Sequence, residues 1–122
     1  MHSELLLDHF RNPRNVGELP SPALTVNVTN PACGDLLRLS VLFDHEQVER
    51  VCYKVRGCTA SVAAGSALTE WMQGKSKAEL RGVTAAAIEE ALGGLEAASK
   101  HAAALAVDGV KRLLSLSSKI AP

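Results

Sequence analysis

The stretch Leu37-Arg38-Leu39-Ser40-Val41-Leu42-Phe43-Asp44-His45-Glu46-Gln47-Val48-Glu49-Arg50-Val51-Cys52-Tyr53-Lys54-Val55-Arg56-Gly57-Cys58-Thr59 decides the fold. Leu37, Leu39, Val41 and Phe43 alternate with Arg38, Ser40 and Leu42, and Val51, Tyr53 and Val55 alternate with Cys52, Lys54 and Arg56. A period of two sends successive side chains to opposite faces, so each run reads as a strand of an antiparallel sheet packed on one side. The polar Asp44-His45-Glu46-Gln47 joins them as a hairpin turn. After Gly57 the period changes. Ala60, Ala64, Ala67, Leu68, Trp71 and Met72 share one helical stripe, and Gly74 stands where a helix is expected to stop.

Working outward, Leu24, Val26 and Val28 form a third alternating run upstream. Ser3 can cap a short helix carrying Leu5, Leu6, His9 and Phe10, which the Asn12-Pro13 step ends, and Arg11 to Pro22 reads as a loop. Downstream come a small helix over Lys77 to Leu80 and another from Thr84 to Leu92, capped by Thr84 and stopped by Gly93-Gly94. The last helix, about His101 to Leu116, sets Ala103, Ala106, Val107, Val110, Leu113 and Leu114 on one face. Gly109 within it costs roughly 1 kcal/mol relative to alanine, so periodicity and not propensity carries that reading. Strands first and helices after predict an α+β fold, with a small antiparallel three-stranded sheet and helices packed on one face. The 122 residues fit a single domain, 1–122.

Composition narrows the function. With 13 basic and 13 acidic side chains the formal charge is zero, which argues against a nucleic-acid partner bound by phosphate neutralisation. An aromatic content of 3% argues against stacking platforms for single strands. Three cysteines are too few, and odd in number, for a disulfide framework. The N-terminal residues lack a secretory signal pattern, and the apolar run Ala102 to Val107 is too short to cross a bilayer. The expected setting is therefore cytoplasmic, without membrane attachment, where cysteines serve metal or sulfur chemistry more often than structure.

Three places could carry that chemistry. In Asn30-Pro31-Ala32-Cys33-Gly34-Asp35, Pro31 fixes its φ and Gly34 permits a turn, so a thiolate and a carboxylate two residues apart can face one locus. Cys58 lies at the strand-to-helix switch, where the free N–H groups of a helix start favour a thiolate. His101 opens the last helix, whose positive end favours the neutral imidazole that a metal needs. Cys33, Asp35, Cys58 and His101 together offer S, O, S and N donors, suited to tetrahedral Zn²⁺ or to the iron of an iron–sulfur centre. No C-x-x-C pair, nucleophile elbow or Gly-rich phosphate loop is present, which weighs against a thiol or hydrolytic enzyme. By residue type alone each member also has a plainer reading: buried small hydrophobe for a cysteine, turn residue for Asp35, solvated helix start for His101.

Leu7-Asp8-His9-Phe10-Arg11-Asn12-Pro13-Arg14-Asn15-Val16-Gly17, then Asn30 to Asp35, Gly57-Cys58 with Ala63, Ser66, Thr69, Glu70 and Trp71, Gly74-Lys75-Ser76 and Ala91-Leu92-Gly93-Gly94-Leu95, in this order, resemble the IscU/NifU-type iron–sulfur cluster assembly scaffolds. The likeness spans about residues 3 to 115. It implies an α+β, non-enzymatic scaffold that receives persulfide sulfur from a cysteine desulfurase and combines it with iron into a [2Fe–2S] cluster. The cluster then passes to apo iron–sulfur proteins, and zinc often occupies the same site. By the resemblance Cys33 and Cys58 match the first two ligand cysteines, Asp35 the aspartate that tunes cluster stability, and His101 the histidine before a third ligand cysteine.

That third cysteine is Ala102 here. Where scaffolds served by a dedicated Hsp70-type chaperone carry Leu-Pro-Pro-Val-Lys, this chain has Leu95-Glu96-Ala97-Ala98-Ser99, which counts against recognition by that chaperone. His2 stands where the family often has a tyrosine. Cys52 falls on the polar face of its strand by parity and is expected to be an exposed bystander, and His9 and His45 to be loop or surface residues. With one thiolate fewer, the site suits Zn²⁺ or a labile [2Fe–2S] cluster. Two functions follow as expectations. One is a scaffold or sulfur relay using Cys33, Asp35, Cys58 and His101. The other is a non-catalytic zinc-binding adaptor or desulfurase modulator on the same fold.

Overall fold

Alternation at period two becomes a three-stranded antiparallel sheet of β1 (Leu24–Thr29), β2 (Leu36–Asp44) and β3 (Gln47–Arg56), in the order β1-β2-β3. The computed structural model describes residues 2–31 and 34–120. Helix α1 (Glu4–Arg11) precedes the sheet, and α2 (Thr59–Met72), α3 (Lys77–Leu80), α4 (Ala85–Ala91) and α5 (His101–Ile120) follow it. The expected α+β architecture is what the chain adopts. The hairpin is tighter than the four polar residues suggest: Asp44 already pairs with Gln47, and His45 takes the left-handed conformation at φ 57°. The last helix runs on past Leu116 to Ile120.

Register sets the two faces. Val26, Val28, Leu37, Leu39, Val41, Val51 and Tyr53 are buried on the side that α2 and α5 cover. α2 lies at the centre, with ten of its fourteen residues buried, because it packs against the sheet, α1, α4 and α5 at once. A helix apolar nearly all round is a buried helix. Close approach explains two glycines. A Cβ at Gly65 would lie 2.3 Å from the Tyr53 ring, and one at Gly109 would lie 2.8 Å from Leu37 Cδ2. The propensity cost of Gly109 is thus the condition for seating α5 on β1 and β2.

Two expectations need correction. Cys52 does lie opposite Val51 and Tyr53, but it is half-buried, not exposed. The segment after α1 returns along β3, where Tyr53 N–H donates to Asn15 O and Gly17 N–H to Tyr53 O, and Glu18 reaches Arg38 and Lys54 on the outer face. His9 is not a surface residue either. It is 6% exposed, with Nδ1 2.7 Å from Ser66 Oγ and Nε2 3.6 Å from Glu70, and it ties α1 to α2. His45 is exposed as expected.

Candidate metal centre

Three separate elements deliver the donors. Asp35 precedes β2 in a tight return of the chain: Gly34 has φ 75°, its N–H donates to Asn30 O, and Asn30 N–H donates to Asp35 O. The turn anticipated at Gly34 is therefore present, and Asp35 beside it is 7% exposed. Cys58 is the N-cap residue of α2, with extended backbone (φ −78°, ψ 171°). Its side chain does not cap the helix, so the sulfur is free to face the cluster, and the residue is exposed. The plainer reading of Cys58 as a buried hydrophobe does not hold. His101 is the first residue of α5, following the 3-10 turn Ala97–Ser99, and Lys100 anchors this helix start to Glu89 of α4.

The three side chains meet. Cys58 Sγ lies 3.6 Å from Asp35 Oδ2 and 3.6 Å from His101 Nε2, and His101 Nε2 lies 3.5 Å from Asp35 Oδ2. Donors sharing one tetrahedral zinc, with Zn–S about 2.3 Å and Zn–N or Zn–O about 2.0–2.2 Å, stand about 3.3–3.7 Å apart. The triangle therefore has the edge lengths of three ligands around one ion. Its mixed S, N, O chemistry fits zinc or ferrous iron. Of the four expected site residues, Cys33 lies outside the described residues, and the other three converge.

Supporting contacts orient the donors, as outer-shell partners do at metal sites. His101 Nδ1 is 3.1 Å from Ala98 O, and a carbonyl only accepts, so Nδ1 carries a proton and Nε2 is the ring nitrogen left to serve as a ligand beside Cys58 and Asp35. Ser61 is 2% exposed and donates a short hydrogen bond to Asp35 Oδ2, while its Oγ lies 3.4 Å from Cys58 Sγ. A Cβ at Gly57 would meet the Asp35 carboxylate at 2.5–2.8 Å, so only glycine leaves room for it. Sequence reasoning missed Ser61 and this use of Gly57. The signal for Ser61 was its place three residues after Cys58, which on a first helical turn is the same side. Ala102, next to His101, is buried in the core at 1% exposure.

Comparison with known proteins places the chain in a family. The family model for the NifU-like N-terminal domain matches residues 1–117. The iron–sulfur cluster assembly scaffold protein IscU of Haemophilus influenzae is 36% identical over 118 residues, covering 93% of this chain and 93% of that protein. A scaffold protein of the same description from Archaeoglobus fulgidus is 37% identical over 114 residues, covering 93% of this chain and 74% of its own. The crystal structure of the N-terminal part of a NifU-like protein from Brucella abortus superposes with a TM-score of 0.79 at 17% identity, covering 98% of this chain and 95% of that one, and so shares its fold. Among the described residues no helix is long and apolar enough to cross a membrane.

Proposed function

The chain belongs to the family of NifU-like N-terminal domains, and from that membership we propose that it is an iron–sulfur cluster assembly scaffold or sulfur-relay protein whose metal site is Cys33, Asp35, Cys58 and His101. The observation that carries the proposal is the triangle of Asp35 Oδ2, Cys58 Sγ and His101 Nε2, with edges of 3.5–3.6 Å. The donor is a cysteine desulfurase, the recipients are apo iron–sulfur proteins, and the setting is the cytoplasm. Residues 1–122 act as one unit. In the sulfur step the Cys58 thiolate attacks the outer sulfur of the desulfurase persulfide. A new S–S bond forms on Cys58, the old one breaks, and the desulfurase leaves as its thiolate, so the transfer needs no outside reductant. Exposure of Cys58 supports access for that attack, and His101 Nε2 at 3.6 Å is placed to take the thiol proton. The metal and any cluster are cargo of this site.

A second reading has its own support. A [2Fe–2S] centre divides its ligands, usually four cysteines, between two irons, whereas this triangle suits one ion and position 102 offers no thiol. Those two facts favour a zinc-holding adaptor or desulfurase modulator. Anaerobic reconstitution with iron, sulfide and a desulfurase separates the readings. A visible iron–sulfur chromophore, or a persulfide on the chain that Cys58→Ala abolishes, supports the scaffold or relay. One tightly held zinc per chain, with neither chromophore nor persulfide, sinks it in favour of the adaptor. Under the scaffold reading Ala102→Cys should hold the chromophore longer than the natural chain.

A further inference from the structure

The two edges of the sheet are treated differently. The edge of β3 is closed: Tyr53 pairs with Asn15 and Gly17, and Val48 pairs with Gly74 and Lys75. The edge of β1 is open. Because Asn30 N–H donates to Asp35 O, alternation along the strand turns the main-chain groups of Leu24, Val26 and Val28 toward β2 and those of Thr25, Asn27 and Thr29 outward. Among the described residues no main-chain partner meets those three outward positions. An unpaired strand edge is a template for another strand.

Helix α5 runs beside this edge. Asp108, Lys111, Arg112, Ser115, Leu116 and Lys119 recur at helical spacing, and with β1 they line a groove whose two adjoining parts, sharing Asn27 and Arg112, measure about 480 and 620 Å³. Lys111, Arg112 and Lys119 are exposed, and among the described residues none is in an ion pair. One anion, Asp108, stands against three cations.

We infer that this groove binds an acidic segment of a partner protein in extended conformation, as a fourth strand added to β1. Thr25, Asn27 and Thr29 supply main-chain donors and acceptors without reading sequence, while Lys111, Arg112 and Lys119 select carboxylates on the helix-facing side of the added strand. Half-buried Leu116 offers an apolar contact between them. A second copy of this chain does not fit, because pairing β1 with β1 draws two basic stripes together. A polynucleotide would satisfy the cations but would set phosphates against the outward carbonyls. The groove ends at Thr29, one residue from the Asn30 whose amide holds Asp35, so a docked strand runs up to the metal-centre loop. The inference stands independently of what that centre does.

The test is NMR titration of the full chain with a peptide of about seven residues, enough to span β1, alternating Glu with Val and blocked at both ends. Saturable shifts and slowed hydrogen exchange at the amides of Thr25, Asn27 and Thr29 are expected. Combining Arg112→Glu with Lys119→Glu, both at exposed positions, should weaken binding about tenfold or more without changing metal content. A peptide N-methylated at alternate residues should not bind, nor should one with Lys in place of Glu. Absence of saturable binding, equal binding of the N-methylated peptide, preference for a single-stranded oligonucleotide, or self-association through β1 would each overturn the inference.

Discussion

A methyl group at Gly57 would stand 2.5 Å from the carboxyl carbon of Asp35 and 2.8 Å from both its oxygens. Asp35 cannot simply swing away, because it is buried and Ser61 holds Oδ2 by a hydrogen bond. Gly57→Ala is therefore expected to displace one proposed ligand, Asp35, while leaving every proposed ligand in place by type. Outer-shell changes of this kind cost on the order of 10- to 100-fold in metal affinity. Competition with a chromophoric zinc chelator measures it, and an unchanged affinity with an intact circular dichroism spectrum would refute the role. Residue type and position suggested the candidate ligands and the resemblance sharpened the choice, but their spacing matches no local metal motif, because the convergence is made by three chain segments meeting in space. Gly57, Ser61 and the Ala98 carbonyl were not legible as parts of the site. Gly57 and Ser61 act on Asp35 across the fold, where no local pattern records the partner, while Ala98 lies three residues from His101 and its role depends on how the chain turns into α5.

At the scale of elements, strands and helices were readable because alternation and helical stripes reflect burial directly. What was not readable is why helices carry glycine. Gly65→Ala sets a Cβ 2.3 Å from Tyr53, whose ring is 1% exposed and whose hydroxyl donates to Val62 O at 2.8 Å, so the ring has no free path aside. Overpacking of this kind costs roughly 1–3 kcal/mol. Gly109→Ala also overpacks, but against a single methyl of Leu37 at 2.8 Å instead of an anchored ring, and gains roughly 1 kcal/mol of helix propensity in return. Urea unfolding should therefore show the larger loss for Gly65→Ala, and the reverse order would refute this account of the packing.

The α1–α2 contact adds a pH dependence. Burial, and then the nearby Arg14 guanidinium, hold His9 below its ordinary 6.5, against the opposing pull of Glu70 and Asp8. The unfolded chain thus takes up a proton before the folded one does. The contribution of neutral His9 is fully present above about pH 6.5 and is lost as pH falls below it toward the depressed folded value. Unfolding midpoints measured through this window should fall for the natural chain and stay flatter for His9→Gln. Parallel curves would show that His9 does not carry the effect. The expectation of a surface histidine failed here because Ser66 and Glu70, which enclose it, lie on a helix more than fifty residues away.

Across the whole molecule the proposed metal centre would also be a cross-link. Asp35 leads into β2, Cys58 is the N-cap of α2 and His101 begins α5, so one ion would join the sheet to the two helices that cover it. The same elements form an extensive apolar core, in which Leu37, Leu39, Leu68, Val110 and Leu113 are all at most 1% exposed. The chain is therefore expected to fold without metal and to gain stability with it, unlike a small finger domain that is unfolded when metal-free. Binding to the folded state alone adds about 2.7 kcal/mol when free ligand is a hundred times its dissociation constant. Thermal unfolding should shift upward with added zinc and back with a chelator, and Cys58→Ala should lose most of that shift while keeping the metal-free midpoint. If the chelator instead abolishes cooperative unfolding, the core does not suffice and the metal is structural. If zinc moves neither protein, Asp35, Cys58 and His101 do not hold it.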